Sequence, residues 1–281
     1  MDRSPSQPRA AMPALLYGTA WKKERTAELV ELAVSLGFRG VDTACQPKHY
    51  DEPGVGAGIA ACLGRGLTRD ALYLQTKFTS LSGQDPARLP YPREAPLDTQ
   101  IQRSCEASLA NLRTSYLDCL VLHSPLSTLA RTLEAWSTFE KLVQRGVVVS
   151  IGISNCYSLD QLTALYERAS VKPRVLQNRF YAKTGYDAAL RAFCATHDIR
   201  YQSFWTLTAN PHVLKERSLR SIAARHRVTP EQTFFRGLIH AGITPLTGTC
   251  SREHMQQDLD VCSFELEDHE MQTILGLLGP G

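Results

Sequence analysis

The sequence contains no CxxC pair, no HxH or HExxH, no GxGxxG, and no apolar run near the ~18 residues that a membrane span requires. Without paired cysteines, a zinc ribbon or a dithiol redox couple has no basis. Without paired histidines at strand ends, a metal-dependent hydrolase lacks a visible ligand set. Charge of one sign is also scarce. The 31 Lys+Arg and 28 Asp+Glu leave a net +3, too small and too dispersed to argue for nucleic acid or an anionic membrane as partner. The eight cysteines lie mostly inside apolar runs and read as reduced, buried thiols of a cytoplasmic protein. Residues 1–12 lack the apolar stretch of a secretory signal and read as a disordered lead-in, which leaves 13–281 for one folded domain.

What the chain does contain is an alternation of two hydrophobic periods. Short apolar runs at 13–17, 40–44, 72–77, 116–123, 147–154, 174–179, 200–205 and 243–247 are each followed by residues at helical spacing, with no linker or composition break between units. Gly37 and Gly146 are stop signals, Ser158 is a candidate N-cap, and Thr229-Pro230 supplies a cap followed by an N1 proline. Eight strand-plus-helix units close most simply as a parallel eight-stranded (β/α)₈ barrel. The alternative, a doubly wound open sheet holding a dinucleotide, would carry a Gly-rich turn after the first strand. That turn reads Tyr17-Gly-Thr-Ala-Trp21.

Barrel chemistry sits where strands end. Asp42, Lys77, His123 and the pair Ser154-Asn155 fall at the ends of the second to fifth apolar runs. One such residue alone reads as a cap or rim charge. Four together point to a site, because a carboxylate or ammonium taken out of water needs a partner.

From Tyr17 to Asp258 the sequence resembles the aldo-keto reductases. The resemblance rests on Gly37-Phe-Arg-Gly-Val-Asp-Thr-Ala44, Tyr50-Asp-Glu-Pro-Gly-Val-Gly56, Leu74-Gln-Thr-Lys77, Leu117-Asp-Cys-Leu-Val-Leu-His-Ser-Pro125, Gly152-Ile-Ser-Asn155, Leu176-Gln-Asn178 and Pro245-Leu-Thr-Gly-Thr249. It implies a barrel that binds an extended nicotinamide dinucleotide without a Rossmann unit. It also implies reduction of an aldehyde or ketone through Asp42, Tyr50, Lys77 and His123. On this reading Tyr50 protonates the forming alkoxide and the Lys77 ammonium lowers the phenol's pKa. Asp42 tethers Lys77, and His123 polarises the carbonyl. The chain departs from the family between Asp42 and Tyr50, where the interval is eight positions instead of about five. Lys48 and His49 therefore stand beside Tyr50 as alternatives for its role.

For the cofactor, the resemblance implies Gly18, Thr19, Asp42, Ser154, Asn155, Gln177, Ser203, Trp205, Leu207, Thr247, Gly248, Thr249, Arg252, His254, Gln257 and Asp258. Gln202 precedes Ser203 where the family places an aromatic that stacks on nicotinamide, leaving Tyr201 or Trp205 for that task. NADPH is the expected cofactor, with NADH as the alternative, since Leu246 replaces the usual phosphate-binding lysine. Trp21, Tyr50, Phe78 and His123 are the expected substrate contacts, with Tyr91 and Phe180 as further candidates for an aromatic wall. The proline-rich segment after Lys77 is long enough to be functional. A small-molecule carbonyl partner and a monomer or weak homodimer complete the expectation. The competing reading is a catalytically quiet nicotinamide sensor on the same fold.

Overall fold

Residues 10–279 are described by the structure, a computed structural model. Strands β1 (Leu16–Gly18), β2 (Gly40–Asp42), β3 (Tyr73–Phe78), β4 (Leu117–Leu122), β5 (Val148–Ser154), β6 (Val175–Arg179), β7 (Arg200–Phe204) and β8 (Ile243–Thr247) pair in chain order, all parallel, and β1 closes on β8. The barrel expected from eight repeating units is the one that forms.

Around it lie α1 (Thr26–Leu36), α2 (Glu52–Leu63), α3 (Leu97–Asn111), α4 (Leu129–Gln144), α5 (Leu159–Arg168) and α6 (Ala188–Thr196). The remaining helices are α7 (Pro211–Lys215), α8 (Arg217–His226), α9 (Pro230–His240), α10 (Arg252–Leu259) and α11 (Asp268–Gly276). Among the described residues no helix is long and apolar enough to cross a membrane. The punctuation read from sequence acts as expected. Gly37 ends α1 at φ +133°, Ser158 caps α5 through the Gln161 N–H, and Thr229 and Gln232 form a reciprocal capping box on α9. Of the expected lead-in, residues 1–9 lie outside the described residues. The Ala10 N–H donates to the Asp70 carbonyl, and Met12 packs under the barrel against Leu16, Tyr73, Cys119, Val121 and Val175.

Strand alternation divides each apolar run between two environments. Leu74, Leu120, Leu122 and Leu176 face the helices in the large outer core, whereas Tyr73, Cys119, Val121 and Val175 face the barrel axis. The same alternation carries the axis from an apolar floor to a polar middle. Gln75 Nε2 donates to Asp42 Oδ1 (2.7 Å) and to Gln202 Oε1 (2.8 Å), and Gln177 Nε2 donates to the same two acceptors. Six cysteines are buried thiols, while Cys250 and Cys262 are exposed.

Helices α2 and α3 approach closely at Gly56, where a Cβ would lie 2.0 Å from the Asn111 carbonyl oxygen. Gly56→Ala must therefore push backbone against backbone, at a cost of about 1–3 kcal/mol, or several degrees of Tm. Gly276 has nothing within 4 Å of such a Cβ, so Gly276→Ala leaves Tm unchanged or higher. Thermal melts of the two variants check the contrast.

Candidate active site

The site is organised by a buried ion pair. Lys77 Nζ donates to Asp42 Oδ2 at 2.6 Å and to the Thr43 carbonyl at 2.8 Å, and both side chains are essentially fully buried. Burial alone would depress the lysine, but the Asp42 carboxylate overrides it and holds Lys77 above its ordinary value. With Oδ1 accepting from Gln75 and Gln177, Asp42 cannot swing away from the ammonium.

Tyr50 reaches this pair in spite of the longer interval. Gln46 starts a tight turn whose carbonyl accepts from the His49 and Tyr50 N–H groups, and the chain then enters α2 at Asp51, which caps Gly54. Buried Glu52 pins the entry, accepting from Thr76, Ser108 and Asn111. The Tyr50 ring centroid lies 5.3 Å from Lys77 Nζ. Burial raises the phenol above its ordinary value, and the opposing pull of Lys77 does not cancel this. The expected lowering by Lys77 is thus present as a contribution but not as the net result, because desolvation of the phenolate is the larger effect. A phenol kept neutral is a donor with its proton in place.

His123 packs edge-on to Tyr50, with ring centroids 6.1 Å apart. Its Nδ1 lies 2.6 Å from Thr79 Oγ1, and its carbonyl accepts from Asn155 Nδ2 at 2.9 Å. Burial, followed by the charge of Lys77, pushes the imidazole down to about 3, so the ring is neutral.

Asp42, Tyr50, His123 and Asn155 line a cavity of about 1030 Å³ that runs from Trp21, Tyr50 and His123 to Thr249, His254 and Gln257. A second cleft of about 830 Å³ shares Trp21, His49 and Tyr50 with it. Between them the Trp21 indole lies against the His49 imidazole, with centroids 3.9 Å apart, and the Trp21 backbone N–H donates to the His49 backbone carbonyl.

A family model for the aldo/keto reductase family matches residues 14–278. The chain belongs to the aldo-keto reductases. An aldo-keto reductase of Mycolicibacterium paratuberculosis is 32% identical over 270 residues, covering 95% of this chain and 87% of the relative. The methylglyoxal reductase DkgA of Escherichia coli is 28% identical over 277 residues, covering 96% and 92%. Among solved structures, MGS-M4, an aldo-keto reductase from a deep-sea metagenome, superposes with a TM-score of 0.81 at 25% identity, covering 97% of this chain and 93% of that one. The protein is therefore an NAD(P)H-dependent oxidoreductase, and its substrate is a small carbonyl compound.

Measured against the aldo-keto reductase expectation, most named residues line the large cavity: Gly18, Thr19, Trp21, Asp42, Tyr50, His123, Ser154, Asn155, Gln177, Trp205, Leu207, Thr247, Gly248, Thr249, His254, Gln257 and Asp258. Three do not. Phe78 follows inward-facing Lys77 and so points outward, packing on Tyr91. Ser203 is outward-facing for the same reason, its Oγ accepting from Thr206 Oγ1. Arg252 lies exposed at the start of α10, outside the lining. Tyr91 and Phe180 are likewise buried in the outer layer. Tyr201 faces Asp187, donating its O–H at 2.9 Å, so neither it nor Gln202 reaches the cavity.

Beside the expected Trp205, a second aromatic lines the cavity at the end of β7: Phe204, two residues beyond inward-facing Gln202. Period-two counting from the strand end identifies it, as it identifies Arg179 two residues after Gln177. Arg179 lines the cavity with its guanidinium 4.2 Å from the Trp205 ring. Glu231, in the first turn of α9, also lines the cavity and carried no signal in the linear sequence.

The neutrality of His123 is directly measurable. Its imidazole resonances are expected to stay those of an uncharged ring from about pH 5 to about pH 8, whereas an unperturbed histidine would titrate in that window. A midpoint near 6.5 for His123 in an NMR titration would contradict the burial and the Lys77 charge described above.

Proposed function

We propose that the protein reduces aldehydes or ketones to alcohols with Tyr50 as proton donor. The supporting observation is convergence: the Tyr50 ring stands 5.3 Å from the Lys77 ammonium and 6.1 Å from the His123 ring, on one cavity wall. A bound reduced nicotinamide supplies the hydride. The chain's own residues do the rest. Tyr50 releases its phenolic proton to the carbonyl oxygen as negative charge grows there, and Lys77 stabilises the phenolate left behind. Asp42 holds Lys77 in place, and His123 offers a hydrogen bond to the same oxygen.

The cavity fits an extended dinucleotide. Ser154 donates to the Gln177 carbonyl and Gln177 Nε2 is committed to Asp42 and Gln202, so Gln177 retains Oε1 as an acceptor for a carboxamide N–H₂. Phe204 and Trp205, which also line the cavity, are the aromatics available to stack on the nicotinamide. At the far end, Thr249, Ser251 and His254 surround the start of α10, a favourable place for phosphate.

Tyr50→Phe is expected to lower kcat by roughly 10²- to 10⁴-fold, with cofactor binding intact, on a panel of aldehydes and ketones that includes methylglyoxal. Because the phenol is held above its ordinary value, wild-type reduction stays flat through neutral pH and declines only as the phenol loses its proton above about pH 10. Full activity of Tyr50→Phe would refute the donor assignment. Tight cofactor binding by a wild type that turns nothing over would favour a sensor.

For the cofactor the proposal is NADPH, with NADH also accepted. A 2′-phosphate would meet His254 and nearby Arg252, but also Glu231 and Asp258. Burial raises the Asp258 carboxyl to about 6, so it is neutral at lower pH and anionic above. The ratio of KM for NADPH to KM for NADH should therefore rise about 5-fold between about pH 5 and about pH 7.5, the effect of roughly 1 kcal/mol between like charges. Asp258→Asn should flatten that trend in steady-state kinetics.

A further inference from the structure

We propose that Thr79 is a positioning residue that decides which nitrogen of His123 carries the proton: its hydroxyl donates to Nδ1, so the ring presents Nε2–H to the cavity. The catalytic consequence rests on the carbonyl reduction proposed above, whereas the tautomer itself does not.

Hydrogen-bond accounting carries the assignment. Thr79 is 4% exposed, and the partner of its Oγ1 is His123 Nδ1 at 2.6 Å. A hydroxyl has one proton and two lone pairs, and a neutral imidazole has one N–H and one bare nitrogen. If Nδ1 held the proton, the hydroxyl would have to accept, and its own proton would be buried without an acceptor at a cost of about 1–3 kcal/mol. With the hydroxyl donating, both groups are satisfied, and the ring's remaining proton sits on Nε2.

The surrounding chain leaves Thr79 little freedom to do otherwise. Its carbonyl accepts from the Tyr91 hydroxyl at 2.6 Å and from Gln84 Nε2 at 3.3 Å. Tyr91 is itself buried against Phe78. On the histidine side, the His123 N–H donates to the Phe78 carbonyl and the His123 carbonyl accepts from Asn155. The backbones of both partners are thus tied, and the ring, packed edge-on to Tyr50, takes its side-chain hydrogen bond from Thr79. Thr79 follows β3 directly, so inward-facing Lys77 and the hydroxyl that sets His123 lie two residues apart.

The tautomer fixes the sign of His123's effect on the reaction. With Nε2–H facing the cavity, the substrate oxygen receives two donors, Tyr50 O–H and His123 N–H, and both strengthen as the oxygen becomes negative. With the opposite tautomer, His123 would present a lone pair to that oxygen and oppose the developing charge. A neutral imidazole N–H is also a far weaker acid than imidazolium, so His123 polarises while the proton that moves comes from Tyr50.

The test uses ¹⁵N-histidine-labelled full-length protein. Wild type and Thr79→Ser, which keeps the hydroxyl, should show His123 protonated at Nε2 with a bare Nδ1. Thr79→Val, which keeps the shape and removes the donor, should lose that preference and lower kcat roughly 10- to 100-fold, with KM for the nicotinamide cofactor unchanged. Thr79→Ser should restore kcat to within a few-fold of wild type. A wild-type spectrum with the proton on Nδ1 would overturn the proposal, and so would a Thr79→Val enzyme with both tautomer and kcat unaltered. If Thr79→Val failed to fold, the wild-type and serine spectra would still decide. Absence of any carbonyl turnover would count against the reductase reading and leave the ¹⁵N spectrum to judge Thr79.

Discussion

Everything at the site depends on keeping the Asp42–Lys77 ion pair inside the barrel. Removing two charges from water costs several kcal/mol per ion, and their attraction offsets this only when the remaining lone pairs and protons are also satisfied. The barrel supplies that satisfaction from its polar middle layer: Gln75 and Gln177 take one oxygen of Asp42, Lys77 takes the other, and Gln202 ties the two glutamine amides together. Replacing either charged partner would strand the other, at about 3–5 kcal/mol. Such an arrangement is a poor way to stabilise a barrel, since apolar side chains would fill the same volume. It makes sense as a way to hold one ammonium at a fixed point. That ammonium opposes the effect of burial on Tyr50 and adds to it at His123. One charge thus eases loss of the phenolic proton while it keeps the imidazole uncharged.

Strand periodicity makes the architecture legible in the sequence itself, and it also sets the limit of what the sequence discloses about the site. Asp42, Lys77 and His123 stood out because each is a polar residue closing an apolar run, and a buried charge is conspicuous. Phe78 and Ser203 face the opposite way because each adjoins an inward-facing residue, Lys77 and Gln202. Phe204 and Arg179 were legible in principle, since each lies two residues beyond an inward-facing glutamine. Reading them required the phase of the strand, which resemblance to a family does not supply when Gln202 occupies the expected place of an aromatic. Glu231 was not legible at all. It reaches the cavity from the first turn of a helix that closes over the β8 end, so only the packing of α9 brings it there.

The end of the cavity proposed for adenine illustrates a different limit. Read linearly, Thr249, Ser251, Arg252 and His254 form a run of phosphate-friendly groups. In space the run splits: Ser251 caps its own helix, Arg252 turns to solvent, and Asp258 and Glu231 enter the lining instead. The net field at that end comes from residues of two helices, α9 and α10, and no local motif records the sum. The same packing raises Asp258, chiefly because a carboxyl removed from water holds its proton more tightly, with a smaller push from the nearby Glu231.

Two departures that looked independent in the sequence turn out to brace each other. The lengthened interval at 45–49 places the Gln46 side chain against the loop after β3, where its Nε2 donates to the Gly83 carbonyl at 2.7 Å. From the other side, Gln84 Nε2 donates to the Cys45 carbonyl at 2.8 Å while also reaching the Thr79 carbonyl. The long loop therefore grips the turn that delivers Tyr50 and the residue that contacts His123. Length in that loop marks it as functional, and Arg88, Leu89 and Pro90 line the second cleft. Its hydrogen bonds point first to another task. A turn with three added residues has more ways to misplace its tyrosine, and the cross-bracing removes that freedom, so the insertion and the long loop act together as the support for Tyr50 and for the residue that contacts His123.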